Sequence, residues 1–301
     1  MSHTGAHCPI CHSSDPRMVQ RGVWDTSARN VLACPVCGVQ FLHPMMAPFE
    51  AAQFYDSYEE YERKREPSAA EFDRKEEKER QSAARQLALV EEYLRPGDTL
   101  CDIGASYGHF LRLARPKVSG LVAVEPNPRS RSALTGHGVR AYSWLEELAR
   151  DGVRIDAVSM FHTFEHLLEP LTFLATLRDV LNPQARLFIE VPNAQDALLT
   201  LYSLEAFRRF YYQSMHCYYY DAASLTYVLG RSGFSPVAVK HIQRYSLGNH
   251  LQWLAHGKPG GNCEFDGIFR ELDTPYRTLL CGQRKSDTLL AAFELNPGAS
   301  Q

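Results

Sequence analysis

The stretch LCDIGASYGHF, residues 100–110, decides the fold. It begins as a short apolar run and breaks into small residues and two glycines, Gly104 and Gly108, just before HFLRLARP takes up helical spacing. A strand that ends this way passes into a tight turn where a ligand can approach the backbone closely, because glycine has no Cβ. Glu125 closes the next apolar run, GLVAVEP, 23 residues after Asp102. At that offset an acidic side chain takes both hydroxyls of a ribose. The pattern is D-x-G-x-x-x-G, not the G-x-G-x-x-G of dinucleotide folds. A pyrophosphate wants free helix amides, whereas the carboxylate of Asp102 suits a cation. A cationic adenosyl ligand without phosphates fits the position better.

Outward from this stretch, strands alternate with helices. TLCDIG, GLVAVEP, IDAVSMFHTFEH, ARLFIEVPN, FSPVAVKHI and SDTLLAAFEL read as strands; HFLRLARP, RSRSALTGHG, PLTFLATLRDVLN and AASLTYVLGRSG read as helices. This rhythm predicts an α/β fold, a doubly wound and mainly parallel sheet of seven strands over residues 96–301.

The stretch from about residue 96 to 240 resembles class I S-adenosylmethionine-dependent methyltransferases, on CDIGASYG, on Glu125 in VAVEPN and on FHTFEH at the end of the fourth strand. The resemblance implies that the loop Asp102, Gly104, Ala105, Ser106, Tyr107 and Gly108 holds the methionine part of S-adenosyl-L-methionine. It implies that Glu125, followed by Pro126, binds the ribose, that Tyr142 or Ser143 lies beside the adenine, and that Phe161 and His162 face the sulfonium.

Four of the eight cysteines fall in two knuckles, Cys8-Pro-Ile-Cys11 and Cys34-Pro-Val-Cys37, 22 residues apart. This spacing matches a four-thiolate structural Zn2+ in a small ribbon over residues 1–48, too short to fold on apolar burial alone. His7, His12 and His43 lie near enough to replace a thiolate. A redox dithiol needs only one CxxC. Cys101, Cys217, Cys263 and Cys281 read as small core residues. Residues 49–95 are charge-dense with helical apolar spacing, and predict a helical linker or cap. Tyr55, Tyr58 and Tyr61 stand out within it, ahead of its charge run, and are placed to approach a site from above or to pack.

A zinc module ahead of this domain is similar to C-methyltransferases of nucleotide-linked deoxysugars, which carry Glu-His and aromatics after the fifth strand. Here QSMHCYYY places His216 at the histidine and Met215 at the glutamate. Methyl transfer from a sulfonium needs alignment and, for a protic nucleophile, a base. His162, His166 and His216 are the candidate bases, with His166 the one expected to anchor the following helix. Tyr219 and its neighbours can stack on a sugar or pack. Residues 241–286 exceed the usual hairpin of this fold, and predict an acceptor lid containing a turn, an amphipathic helix and a Gly-rich break. Arg244, Tyr245, Asn249 and His250 would meet polar groups of the acceptor, Arg244 a phosphate, while Trp253 pins the lid down.

A chain of 301 residues with net charge −3 carries no global field for a polyanion. No apolar run spans a bilayer, and the N-terminus lacks a leader pattern, so a cytoplasmic protein is expected, as monomer or homodimer. The expected partner is a small-molecule acceptor, with a nucleotide-linked or polysaccharide sugar first and carbon or oxygen as the methylated atom. A zinc-containing RNA methyltransferase is the alternative, disfavoured by the acidic balance. A non-catalytic cofactor-binding module is the third reading.

Overall fold

Five parallel strands carry the molecule: β4 (Thr99–Ile103), β5 (Gly120–Val124), β6 (Arg140–Tyr142), β7 (Ile155–Phe161) and β8 (Leu181–Pro192). They form because aliphatic runs such as AVSM and LFIEV are buried on both faces, the pattern of a sheet covered by helices. Two further strands complete the sheet at one edge, β10 (Phe234–Ile242) and β11 (Thr288–Leu295), and β11 is antiparallel to both its neighbours. The strand order is β10-β11-β8-β7-β4-β5-β6, so the seven-stranded, mostly parallel sheet read from the sequence is present. Chain order reverses beside β4, and the loop after it therefore opens at the switch point where α/β sheets bind ligands.

This computed structural model describes residues 6–50, 69–259 and 264–296, with side chains from residue 76 in the second stretch. Tyr55, Tyr58 and Tyr61 lie outside the described residues. The helix Ala69–Val90 covers the domain ahead of β4.

A second, four-stranded sheet joins the two parts of the chain. Its strands β1 (Arg17–Gln20), β2 (Asn30–Ala33) and β3 (Gln40–His43) come from the cysteine-rich segment, and β9 (Tyr218–Tyr219) comes from the α/β part. Gln40 pairs with Tyr219 and Phe41 with Tyr218. Cys8, Cys34 and Cys37 share one buried cluster with Leu225, Val228 and Leu229 of the helix Ala222–Arg231. Arg231 Nη1 donates to the Ile10 carbonyl at 2.7 Å, closing the helix end onto the module.

Among its described residues the insertion holds the expected helix, Leu247–His256, and two that were not expected, Glu264–Ile268 and Arg270–Gly282, the last continuing through Pro275. Part of the Gly-rich break lies outside the described residues. Pro275 lies inside the helix, where it cannot donate the i→i−4 bond to the Glu271 carbonyl. Trp253 is buried edge-on against Phe207 at 5.1 Å, so it does anchor the insertion, onto the helix Glu205–Tyr211.

Candidate active site

The turn after β4 has the left-handed backbone its glycines permit: φ is +77° at Gly104, +47° at Ser106 and +74° at Gly108. Its bareness serves the chain's own packing first. A Cβ at Gly104 would lie 2.3 Å from Thr163 Oγ1, and one at Gly108 would lie 2.5 Å from Leu134 Cδ2. The tight turn expected here is present, and its glycines are also required by this packing.

Two carboxylates frame the turn. Asp102 is buried and accepts from Ser159 Oγ on β7 at 2.6 Å. Burial pushes its pKa up to about 7, the nearby charge of Glu125 adding to the rise against the Ser159 hydrogen bond. Glu125 ends β5 and takes one backbone amide on each oxygen, Ser106 N at 2.8 Å and Asn127 N at 2.9 Å. Burial likewise raises its pKa, the amides opposing. Each oxygen keeps a lone pair for a further donor. Ala105 is buried and Tyr107 is exposed on the turn, while Pro126 follows Glu125 at the rim. Beyond β6, Tyr142 donates to Asp151 at 3.0 Å, and Ser143 N is taken by Glu147 at 2.9 Å.

β7 delivers the third wall. Phe161 packs edge-on against Phe110 at 4.8 Å, under the turn. His162 follows with φ +52°, a conformation that bulky residues avoid and that persists where surrounding contacts hold it. Its amide donates to the Glu190 carbonyl at 2.8 Å. Its Nε2 lies 2.9 Å from both Glu190 Oε1 and Arg244 Nη1, and Nδ1 lies 3.4 Å from Glu165 Oε1. Burial and the Arg244 guanidinium oppose charge on this ring, yet the carboxylates of Glu165 and Glu190 outweigh them and raise its pKa. Charged, Nε2–H donates to Glu190 and Arg244 stands beside it as a second cation. Glu190 also accepts from Arg85 Nη2 at 2.7 Å. Despite full burial its pKa is lowered, by His162 and then Arg85.

His166 does not anchor the helix after it. Nδ1 reaches the Met215 carbonyl at 2.9 Å and the ring stands edge-on to His216, centroids 4.9 Å apart. Glu165, His166 and His216 offer ligand atoms that all lie within 4.8 Å of one another. Burial and then His166 push the His216 pKa down to about 3. Tyr219 is buried, its hydroxyl donating to the Gln213 carbonyl at 2.9 Å.

The insertion touches this wall through Arg244. Asp287 takes its amide at 2.7 Å and its Nε at 3.2 Å, and takes the Tyr245 amide at 2.9 Å. The Tyr245 ring is exposed, and Asn249 sits in the first helical turn behind it. His250 is buried between Tyr276 OH at 2.7 Å and Gln243 Nε2 at 3.2 Å, inside the insertion.

In the cysteine cluster, Cys8 and Cys37 Sγ are 3.6 Å apart and Cys11 and Cys34 Sγ 3.5 Å apart. A tetrahedral ion with metal–sulfur bonds near 2.3 Å separates its sulfurs by about 3.8 Å, close to these two pairs, and all four sulfurs lie within 4.8 Å of one another. The amides of Val36 and Cys37 point at Cys34 Sγ, each at 3.4 Å, as in a metal-binding knuckle. The cluster is thus compatible with zinc.

The sheet order, the glycine turn at its switch point and the acid closing β5 define the class: a Rossmann-like methyltransferase fold. Residues 73–239, more than half of the chain, match the family model described as a methyltransferase domain, and the chain belongs to that family. It is a methyltransferase, and its fold is that of the class I S-adenosylmethionine-dependent enzymes. No curated protein matches it. Among solved structures, a SAM-dependent methyltransferase from Archaeoglobus fulgidus has TM-score 0.50 and 19% identity, over 71% of this chain and 94% of that one. The 1,6-didemethyltoxoflavin-N1-methyltransferase of Burkholderia thailandensis, solved with bound 1,6-didemethyltoxoflavin and S-adenosylhomocysteine, has TM-score 0.49 and 16% identity, over 94% and 100%. At these identities the likeness is one of fold.

Proposed function

We propose that this methyltransferase passes its methyl group to a small, hydroxyl-bearing acceptor, with a nucleotide-linked or polysaccharide sugar first among the classes considered. The observation that carries the reading is that β7 turns sharply at His162, so that the insertion's Arg244 meets the wall beside the cofactor turn. An acceptor enclosed there would sit between the turn after β4 and residues 162–166, with the insertion as its lid. In that arrangement Asp102 and Glu125 orient the cofactor's charged and ribose ends, and Phe161 excludes water from beneath it.

His162 is the least suited of the three histidines to accept the acceptor's proton, because both of its ring nitrogens are already engaged by carboxylates. His216, whose pKa burial lowers, and His166, whose Nδ1 is held by the Met215 carbonyl, are the imidazoles available for that task. Arg244 is already matched by Asp287, which favours a role in fixing the lid over capture of a free phosphate. In the cysteine module a structural zinc would supply folding energy of about 10 kcal/mol or more, a contribution the short strands β1 to β3 need. Zinc there supplies tetrahedral cross-linking and no chemistry at the methyl.

Release of S-adenosylhomocysteine in the presence of S-adenosylmethionine and a panel of nucleotide sugars, free sugars and small phenols tests the reading. Turnover on a hydroxylated small molecule is expected. Turnover confined to RNA, with binding that falls steeply as salt rises, would overturn it.

A further inference from the structure

Four of the eight buried side-chain polar atoms without a partner among the described residues gather around the turn after β7 and the segment flanking β9. Buried Glu165 Oε2, His216 Nδ1, Tyr211 OH and Tyr220 OH have no hydrogen-bond partner. Glu165 is 1% exposed, so leaving one of its oxygens unpaired carries a desolvation cost that a native fold offsets with a ligand or water. These atoms belong to one neighbourhood. Tyr220 stacks on Phe164 at 5.4 Å, Tyr211 lies 5.6 Å from Tyr219, and the rings of His216 and Tyr219 are 5.7 Å apart.

Within that neighbourhood three donors have the chemistry of metal ligands. The ligand atoms of Glu165, His166 and His216 lie within 4.8 Å of one another, yet none of the three side chains is hydrogen-bonded to another. His166 Nδ1–H is held by the Met215 carbonyl at 2.9 Å, which leaves Nε2 as a lone pair with its ring fixed, the arrangement common behind a coordinated imidazole. His216 has the complementary arrangement. Its Nε2 meets the Gln213 amide at 3.3 Å, and with the amide oxygen turned to the ring Nδ1 is left as a lone pair. Glu165 gives one oxygen to His162 at 3.4 Å and keeps the other. Ligand bonds near 2.1 Å would draw the donors together by on the order of 1 Å.

We propose that Glu165, His166 and His216 hold a divalent first-row transition cation, separate from the cysteine cluster, with open positions for oxygen atoms of the acceptor. Two imidazoles and one carboxylate select such a cation over magnesium or calcium, which prefer all-oxygen shells. The role of this cation rests on the methyl-transfer reading above; its existence does not. It names the acceptor class: a molecule with two neighbouring oxygens, such as a vicinal diol or a hydroxy acid, able to chelate the ion. The coordinated hydroxyl loses its proton to water more readily than the free one. Its oxygen then forms a bond to the methyl carbon, the carbon–sulfur bond breaks with its electron pair on sulfur, and one proton is released per methyl moved. His166 and His216 hold the ion in this scheme and need not carry the proton.

The test is titration of the zinc-loaded, full-length protein with Co2+ alone, followed by calorimetry and by metal analysis after desalting. One further equivalent per chain is expected, beyond whatever the cysteines retain. His216→Ala and Glu165→Gln should weaken it by on the order of 100-fold, with the metal content of the cysteine cluster unchanged. Glu165→Gln keeps the side-chain shape and guards against misfolding of the alanine variant. No second equivalent in the wild type, or unchanged affinity in both variants, overturns the site. S-adenosylhomocysteine affinity measured on the same samples separates the outcomes: binding without the second metal sinks only this inference, and metal without cofactor binding sinks only the reading it serves.

Discussion

His162 Nε2 and Glu190 Oε1 meet at 2.9 Å across adjacent parallel strands, where β7 ends and β8 runs on toward Pro192. The pair joins three parts of the chain, because Arg85 of the helix Ala69–Val90 and Arg244 of the insertion converge on it. Replacing Glu190 by glutamine leaves His162 and Arg85 facing a neutral, buried amide. Stability should fall by about 3 kcal/mol, as for other broken buried pairs, measured by urea unfolding.

The same pair sets a pH window. His162 has a raised folded-state pKa, so its contribution is fully present below the unfolded value near 6.5 and is lost as pH rises through the higher folded value. Glu190 has a lowered one, so its contribution is present above its unfolded value near 4.5 and is lost as pH falls toward the folded value. An NMR titration should find a lower His162 pKa in Glu190→Gln than in the wild type. A ring that titrates normally in both would contradict the pairing.

Gly104→Ala places a Cβ 2.3 Å from Thr163 Oγ1 in a residue with φ +77°. The left-handed backbone alone costs about 1–2 kcal/mol, and the clash adds to it. Adding Thr163→Gly removes the clash and not the backbone cost, so thermal melting of the double variant should recover only part of the loss.

The role proposed for Asp102 predicts a pH dependence of cofactor binding. Its pKa is raised to about 7, so the folded protein holds a proton there that the unfolded chain has lost, and stability falls as pH rises from about 4 through 7. A cationic ligand favours the ionised carboxylate. Below pH 7 S-adenosylmethionine binding should therefore release protons and weaken by up to about tenfold per pH unit, read by calorimetry in buffers of different ionisation enthalpy. Asp102→Asn should flatten this dependence.

Cys34→Ser should reach beyond its own module. β3 pairs with β9 at Gln40 and Tyr219, three residues after His216, so loosening the cysteine cluster loosens the turn that carries this histidine. Metal loss, a lower melting temperature and a fall in turnover larger than the fall in cofactor affinity are expected. Equal losses of turnover and cofactor affinity would place the effect elsewhere.

The sheet was legible because its information is local. Each buried run, TLCDI, GLVAV and AVSMF, carries its own signal, and the switch-point turn is marked by Gly104 and Gly108. The cysteine cluster was legible by spacing alone. What escaped was pairing between distant segments. Nothing near Tyr218 announces an edge for Gln40, and nothing near Arg85 points to Glu190, 105 positions away. Glu190 did leave a trace: it is the lone acid inside the apolar run LFIEV, where an unpaired charge would be prohibitive. Asp287, likewise buried at the head of β11, stood beside the insertion it fastens.

The central claim is that the turn from Asp102 to Gly108 and the carboxylate of Glu125 hold an adenosyl sulfonium. Calorimetric titration of S-adenosylmethionine into the wild type and Glu125→Ala tests it most directly. The account predicts one equivalent bound by the wild type and an affinity lower by about tenfold to 100-fold in the variant, the worth of hydrogen bonds to a charged acceptor. Equal affinity in both proteins, or no binding of the sulfonium where a phosphate-bearing nucleotide binds instead, would contradict it.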